Sequence, residues 1–294
     1  MNQVWRNLKP NFIISTGRTG TKFLVHFFNA FSMEIDARHE PEPNLLKLKW
    51  QFGSGNITLE KAIKIFRKEK INLYKTIKKP YYIESNPRLR YLIPVIKEIF
   101  PNYKIVHIIR DGRDWVRSAM NRGIYSSIID DIPPPLIKLL RFIIPDNLSL
   151  PQSSIIKFQA YYRDLWRFSI DDFQEKTYYK KWSHMTQFEK LSWIWNRYTE
   201  EIYYEIRENA NIITVKFEDI FNKENQYRGL KKITNFFELD DFWEDSDLNI
   251  DAIFSKKINI SKTYNFPHWK NWKKAWLIKF EEIAGKSMNL YEYL

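Results

Sequence analysis

The chain contains no cysteine among its 294 residues, and this absence excludes several kinds of chemistry. Disulfides, thiolate metal sites and cysteine nucleophiles all require a thiol. The five histidines do not follow the HExxH spacing that is typical of a helical zinc site. The sequence therefore predicts a protein that holds no metal ion.

The sequence also lacks long apolar runs. No segment approaches the roughly 20 consecutive apolar residues of a membrane-spanning helix. The opening residues, MNQVWRNLKP, lack the apolar stretch of a signal peptide. Hydrophobic residues still make up 44% of the chain, which is enough to fill a sizeable core. We therefore expect a soluble, cytoplasmic protein.

Negative charge is scarce relative to positive charge. The chain has 47 Lys and Arg against 35 Asp and Glu, which gives a net charge of +12. This excess indicates an anionic partner, such as a nucleotide, lipid, nucleic acid or acidic glycan, or simply a soluble basic surface. The basic residues collect at two predicted strand ends and form no nucleic-acid reader motif, so we expect no specific nucleic-acid partner. Peripheral contact with an anionic membrane is compatible with this charge.

Four short apolar segments alternate with segments of helical periodicity. The strand-like segments are NFIIST, YYIES, YKIVHII and NIITVK. This alternation predicts an α/β protein with a P-loop-like, three-layer fold, in which helices flank a central parallel sheet. Residues from about 124 to 190 break the pattern and predict a mostly helical insertion. The polar motifs STGRTG, ESNP and RDGRD follow strands, so we expect them to meet at the carboxyl edge of the sheet, where such folds bind ligands.

Glycine is rare in this chain, with eight residues, yet two of them stand three positions apart after the first strand. A glycine turn between a strand and a helix lets backbone N–H groups point at a phosphate. The candidate anion-binding residues are Gly17, Arg18, Thr19, Gly20, Thr21 and Lys22. The spacing is not that of a Walker loop, because Phe23 stands where Ser or Thr would hold magnesium. An ordinary tight turn is the alternative interpretation.

A second basic motif, RDGRDWVRSAMNRG, begins at the end of the third predicted strand. Arg110 ends this strand, and Ser118 and Arg122 share a face of a helix that is predicted to begin near Asp114. Two arginines and a hydroxyl predict a second anion site, although a solvated helix face is the alternative. Two separate sites suggest a ligand that carries phosphate at two positions.

Together the two motifs resemble those of sulfotransferases that use 3′-phosphoadenosine 5′-phosphosulfate (PAPS), most closely the tyrosylprotein and carbohydrate branch. STGRTGT is similar to the family's 5′-phosphosulfate loop, and RDGRDWVRS is similar to its 3′-phosphate motif. VKFEDI and INISKTYNFPHWKNW are similar to later segments of the family. The resemblance implies one sulfotransferase-like domain over residues 1–294, with the insertion at about 124–190 on the acceptor side. It also implies PAPS as the donor and no metal.

The resemblance assigns roles to further residues. Arg18 would stabilise charge on the leaving phosphate, and Lys262 is either a contact to the 3′-phosphate or a solvated side chain. Two carboxylates compete as the base: Glu40, favoured by its distance from Arg18, and Glu84 at a predicted strand end. His39 is expected to orient its neighbours. The acceptor would offer a hydroxyl or an amine, on a saccharide or glycan, a lipid-linked saccharide or an acidic peptide.

Three other functions remain as alternatives at this stage. A small-molecule kinase or other phosphate-binding enzyme would need the Walker lysine and magnesium ligand that the loop lacks. A nucleic-acid binder would account for the charge but not for its placement. A sulfotransferase-like protein without activity is opposed by the intact motifs.

Overall fold

The computed structural model describes residues 10–42, 45–124, 184–244, 249–255 and 265–294, together with positions 136, 139–141 and 182. Its strands are β1 (Pro10–Ser15), β2 (Ile35–His39), β3 (Tyr81–Ser85), β4 (Lys104–Ile109) and β5 (Ile212–Lys216). Its helices are α1 (Thr21–Phe31), α2 (Leu45–Gly53), α3 (Leu59–Tyr74), α4 (Ile93–Ile99), α5 (Gly112–Met120), α6 (Gln187–Ile206), α7 (Phe217–Phe221), α8 (Gln226–Phe236), α9 (Ile250–Ser255) and α10 (Lys274–Leu290). Short 3-10 turns lie at Pro87–Leu92, Asp240–Trp243 and Trp269–Asn271.

The strands form one parallel sheet in the order β2-β3-β1-β4-β5. The first strand is central, because the chain runs from β1 to the β2 edge, returns through β3 and then crosses to β4. The carboxyl ends of β1, β3 and β4 therefore lie side by side at the position where the direction of winding changes. Open α/β sheets bind their ligands outside this position.

The two faces of the sheet are covered separately, as the strand period of two requires. Phe12 and Ile14 point to the face packed by α3 and α4, whereas Ile13 between them packs against α1 and α8. All three side chains are fully buried. The predicted α/β architecture, with helices on both faces of a parallel sheet, is confirmed.

The four predicted strands are present, but the edge strand β2 was not predicted. Its sequence, IDARH, carries two charged residues, and the guanidinium of Arg38 pairs with Asp36 at 2.7 Å. Charged side chains are typical of edge strands, where they prevent pairing with a second chain. The consequence for function is that Glu40 also follows a strand, because β2 ends at His39.

Two further segments follow strands of the sheet. The segment after β5 forms the short helix α7. The segment PRLRYLIPVIKEIF begins as a 3-10 turn and becomes α-helical at Ile93. Most of the predicted insertion at 124–190 lies outside the described residues, and α6 begins at Gln187 behind a capping box of Thr186 and Glu189.

A charged cluster lies inside the face covered by α3. Lys70 of α3 is fully buried and places its Nζ 2.8 Å from a carboxylate oxygen of Glu42 and in contact with Glu84 of β3. The hydroxyl of Tyr82 and the amide of Asn86 donate to Glu84 at 3.2 and 2.9 Å. One ammonium group cannot balance two buried carboxylates. Burial, reinforced by the charge of Glu84, therefore raises the pKa of Glu42 to about 7.

This raised pKa predicts how stability depends on pH. Because the folded-state pKa lies above the unfolded value, protonated Glu42 favours folding, and this contribution is lost as pH rises through about 7. Relative to Glu42→Gln, the wild type should lose on the order of 1–3 kcal/mol of unfolding free energy between about pH 5 and pH 8. Urea unfolding of both proteins across this range measures the difference. Exposed Glu60→Gln is the control, and a constant difference between wild type and Glu42→Gln would contradict the prediction.

Candidate active site

The carboxyl ends of the strands open into a cleft of about 670 Å³. Most of the residues that the sequence singled out line it together. They are Gly17, Arg18, Thr19, Gly20, Thr21, Lys22, His39, Glu40, Arg110, Ser118 and Arg122. Glu84 does not line the cleft, and Lys262 lies outside the described residues. The structure thus brings the two basic motifs and one of the two candidate bases into a single site.

The loop after β1 has an unusual backbone. Gly17, Arg18 and Gly20 have φ values of 80°, 58° and 73°, which lie in the left-handed region that favours glycine. A non-glycine residue in this region is strained, and such strain is typical of functional sites. The indole of Trp115 holds the loop from outside by donating to the carbonyl of Gly17 at 2.9 Å.

The loop leaves polar groups available to an anion. Gly20 is the N-cap of α1 and offers no side-chain acceptor, so the first N–H groups of this helix have no side-chain cap. The hydroxyls of Thr16 and Thr19 are buried and have no hydrogen-bond partner among the described residues. Buried polar groups without partners are costly, which favours a ligand that supplies the missing bonds.

Arg110 connects the second motif to the first. Its Nη1 donates to the carbonyl of Arg18 at 2.9 Å, and its guanidinium lies 4.3 Å from the ring centre of Phe217. Within the described residues it forms no ion pair, and its Nε has no partner. Burial lowers the pKa of Arg110, because charge is disfavoured away from water. A neighbouring anion would remove this disadvantage.

The two motifs also meet through side chains. The Nε of Arg18 donates to the hydroxyl of Ser118 at 3.1 Å. Helix α5 begins earlier than predicted, at Gly112, because the carboxylate of Asp111 caps it by accepting from the N–H of Arg113. It ends at Met120, so Arg122 lies in the following turn and not on the helix face expected for it. Arg122 nevertheless lines the cleft with Ser118.

Glu40 lines the cleft together with the loop residues. It has a φ of 46°, and its carboxylate pairs with the guanidinium of Arg88 at 2.7 Å. Its own N–H donates to the carbonyl of Ser85 at 3.1 Å, which fixes it to the end of β3. The side chain remains 30% exposed, so a ligand in the cleft can reach it.

His39, the last residue of β2, contacts the loop directly. Its Nε2 lies 3.1 Å from the hydroxyl of Thr21. Burial lowers the pKa of His39, against the smaller opposing effect of the Glu40 charge. The imidazole is therefore neutral at pH 7. A neutral imidazole here fits a residue that orients Thr21 by hydrogen bonding.

Glu84 occupies a different environment. Its side chain is fully buried in the cluster around Lys70, below the floor of the cleft. This position gives it no access to a bound molecule. Of the two candidate bases, the geometry therefore favours Glu40.

Several cleft residues were not anticipated from the sequence. Arg88 and Arg90 follow ESNP, the third polar motif, and their positive charge is the feature of the sequence that could have indicated a place in the cleft. Nothing in the sequence indicates that Lys49 on α2 lies in the cleft, because its segment has the pattern of an ordinary amphipathic helix. The rings of Phe217, Phe221 and Phe254 form an aromatic wall at another side of the cleft.

The cleft is strongly cationic. Among the described residues that line it, the only carboxylate belongs to Glu40. The lysines and arginines in the lining are Arg18, Lys22, Lys49, Arg88, Arg90, Arg110 and Arg122. Such a concentration of one sign attracts a multiply charged anion.

No helix in the described part of the chain is both long enough and apolar enough to cross a membrane. The histidine and carboxylate side chains of this part form no group of three that could hold a metal ion.

Comparisons with known proteins yield structural similarities only. No family model and no curated protein matches the sequence. A sulfotransferase from Alicyclobacillus acidocaldarius aligns over 97% of this chain and 94% of its own, with 9% identity and a TM-score of 0.46. The sulfotransferase domain from the curacin biosynthetic pathway aligns over 95% of this chain and 97% of its own, with 11% identity and a TM-score of 0.44. The sulfotransferase domain of the Synechococcus PCC 7002 olefin synthase aligns over 98% of this chain and 94% of its own, with 14% identity and a TM-score of 0.47. Similarity this low establishes neither a family nor an activity.

The loop geometry predicts different effects for its two glycines. Gly17→Ala meets no atom within 4 Å and should cost only the strain of its φ, about 1–2 kcal/mol. Gly20→Ala should cost more, because its new Cβ would lie 2.4 Å from Cζ of Phe221. That ring is held against Phe23 and Phe217. Urea unfolding of both variants measures the two costs.

A double mutant separates the steric part of the Gly20 effect from backbone strain. Combining Gly20→Ala with Phe221→Ala removes the ring that the new methyl group meets. The cost of Gly20→Ala in this background should fall to that of Gly17→Ala. An unchanged cost would show that steric overlap with Phe221 is not the cause.

Proposed function

We propose that this protein is a sulfotransferase that moves the sulfuryl group of PAPS to a hydroxyl or amine of an acceptor. The observation that carries the proposal is the direct contact between the two basic motifs in one cleft. Arg110 reaches the backbone of the glycine loop at Arg18, and Arg18 reaches Ser118 of the second motif. A donor with phosphate groups at two positions fits this pair of adjacent sites. The resemblance of both motifs to the sulfotransferase family supports the same assignment.

The residues of the cleft fit such a donor. The uncapped start of α1 and the hydroxyls of Thr16 and Thr19 offer donors for the phosphosulfate end. Arg110, Ser118 and Arg122 would hold the 3′-phosphate. The aromatic wall of phenylalanines beside Arg110 offers a stacking surface for the adenine ring.

The donor supplies an activated sulfuryl group when it is bound. In the transfer, the acceptor oxygen forms a bond to sulfur while the bond between sulfur and the bridging phosphate oxygen breaks, and that oxygen keeps the electron pair. Arg18 and the loop N–H groups would stabilise the charge that develops there. This stabilisation comes from fixed donors of the chain, and the proposal requires no metal.

Glu40 would accept the proton that the acceptor hydroxyl loses. Its exposure to the cleft and its fixed position, held by Arg88 and by the carbonyl of Ser85, support this role. His39 and Thr21 would position the loop beside it. The acceptor would be a saccharide or glycan, and the segment at about 124–190 would contribute to its pocket within a single domain.

Titration with adenosine 3′,5′-bisphosphate, the desulfated form of the donor, tests the proposal without a known acceptor. We expect calorimetric binding without metal, weakened at least roughly tenfold in Arg110→Ala, because a charge-assisted bond to phosphate is lost. Arg207→Ala is the control, since Arg207, directly after α6, is an exposed arginine that does not line the cleft. It should bind like the wild type.

Two outcomes would contradict the donor assignment. Absence of binding in the wild type would exclude the proposed donor. Binding of ATP that requires magnesium, in the absence of binding by the bisphosphate, would favour a kinase.

The base assignment makes a separate prediction. Glu40→Gln should bind adenosine 3′,5′-bisphosphate like the wild type but lose roughly 100- to 10,000-fold in transfer of a labelled sulfuryl group to p-nitrophenyl glycosides. Glu34→Gln, an exposed change before β2, is the control. Retained transfer in Glu40→Gln, with loss in a folded Glu84→Gln variant, would assign the base to Glu84.

A further inference from the structure

Arg90 lines the cleft but belongs to neither of the two phosphate motifs. Its side chain is buried, and Arg90 as a whole is 9% exposed. Its Nη1 donates to the carbonyls of Pro87 and Ser15 at 2.7 and 3.4 Å. Its guanidinium lies 4.0 Å from the ring centre of Tyr198 on α6. These contacts hold the guanidinium in one orientation without neutralising it.

Arg90 has no counter-charge in the described part of the chain. It forms no ion pair there, and its Nε is buried without a hydrogen-bond partner. A buried guanidinium in this state is costly, because carbonyl dipoles and an aromatic ring replace only part of its hydration. Nη2 makes no hydrogen bond within the described residues and, unlike Nε, is not closed off from its surroundings. It is the part of the guanidinium that can donate to an oxygen of a bound carboxylate.

The proposed donor does not supply the missing charge. Arg18, Lys22, Arg110 and Arg122 lie in or next to the two donor motifs and suffice for two phosphate groups and a sulfate. Arg88 is already paired with Glu40. The positive charge of Arg90 therefore remains for another molecule in the cleft.

The surroundings of Arg90 indicate what kind of molecule this is. Leu46, Pro87, Ile194 and Tyr198 line the cleft with it and offer an apolar surface. Lys49, buried on α2, lines the same cleft and adds positive charge. A ring that carries a carboxylate would bury its faces on these side chains and direct its charge to Arg90.

We propose that the acceptor is a carboxylated ring compound, an acidic sugar in the simplest case, whose carboxylate binds Arg90 while its hydroxyl lies near Glu40. This inference rests on the proposed sulfuryl transfer, because it assigns the second molecule of that reaction. It makes Arg90 a residue that determines specificity through charge. The two carbonyl bonds and the tyrosine ring hold Arg90 in position before the acceptor arrives.

The test uses two probes that differ at one position of the sugar ring, where a carboxylate in one replaces a neutral hydroxymethyl group in the other. p-Nitrophenyl β-D-glucuronide and p-nitrophenyl β-D-glucoside are titrated by calorimetry into the full chain saturated with adenosine 3′,5′-bisphosphate. The wild type should bind the glucuronide at least roughly tenfold more tightly than the glucoside, as one well-placed charged contact allows. Arg90→Gln should lose this preference, and Arg90→Lys should retain part of it.

Controls distinguish recognition of the acceptor from support of the fold. Arg207→Gln, an exposed change directly after α6 and outside the cleft lining, should keep the preference. The unfolding midpoint and the bisphosphate affinity of each Arg90 variant are measured first, and Arg90→Lys serves if Arg90→Gln does not fold. A fall in bisphosphate affinity would place Arg90 in the donor site and overturn the proposal.

Two further results would also overturn it: equal binding of both probes by the wild type, or an equal preference in wild type and Arg90→Gln. Repeating the probe titrations without bisphosphate separates the two proposals. If the bisphosphate itself does not bind the wild type, the sulfotransferase assignment fails, whereas the probe preference still reports the charge recognition by Arg90.

Discussion

The cleft must hold several positively charged side chains close together and still attract an anionic ligand. Carboxylates would fix the arginines but would also compete with an anionic ligand. The structure uses neutral groups to hold Arg110 and Arg90, which form no ion pair with the described residues. The carbonyl of Arg18 and the ring of Phe217 hold Arg110, while backbone carbonyls and the ring of Tyr198 hold Arg90. Such dipoles set the orientation of a guanidinium and leave its charge for the ligand.

The backbone strain at the site is sustained by the edge of the sheet. Arg18 and Glu40 both have positive φ values although neither is glycine. Ser85 at the end of β3 connects their surroundings, since its hydroxyl donates to the carbonyl of Thr21 and its own carbonyl accepts from the N–H of Glu40. His39 completes the connection through the hydroxyl of Thr21. A rigid parallel sheet thus compensates for local conformations that an isolated loop would not keep.

The sequence predicts what depends on local pattern and misses what depends on burial. The parallel sheet follows from apolar segments such as NFIIST, and the meeting of the two basic motifs follows from their position after strands. The edge strand β2 was missed because it offers only two apolar residues, Ile35 and Ala37, whereas the predicted strands were recognised from longer apolar runs. Arg90 and Lys49 were missed because spacing does not show which cations point into a cleft and which into solvent. The start of α5 was misplaced because the capping role of Asp111 was not considered.

Burial also separates the two glutamates that the sequence left as alternatives. Glu84 ends β3 below the cleft floor, where Lys70 and two neutral donors hold its charge. Glu40 follows the edge strand, where the sheet no longer covers it. The two environments are joined, because the carbonyl of Glu42 accepts from the same Arg88 guanidinium that pairs with Glu40. The buried cluster therefore contributes to the position of Glu40, and of the two carboxylates only that of Glu40 lines the cleft, as the proposed base must.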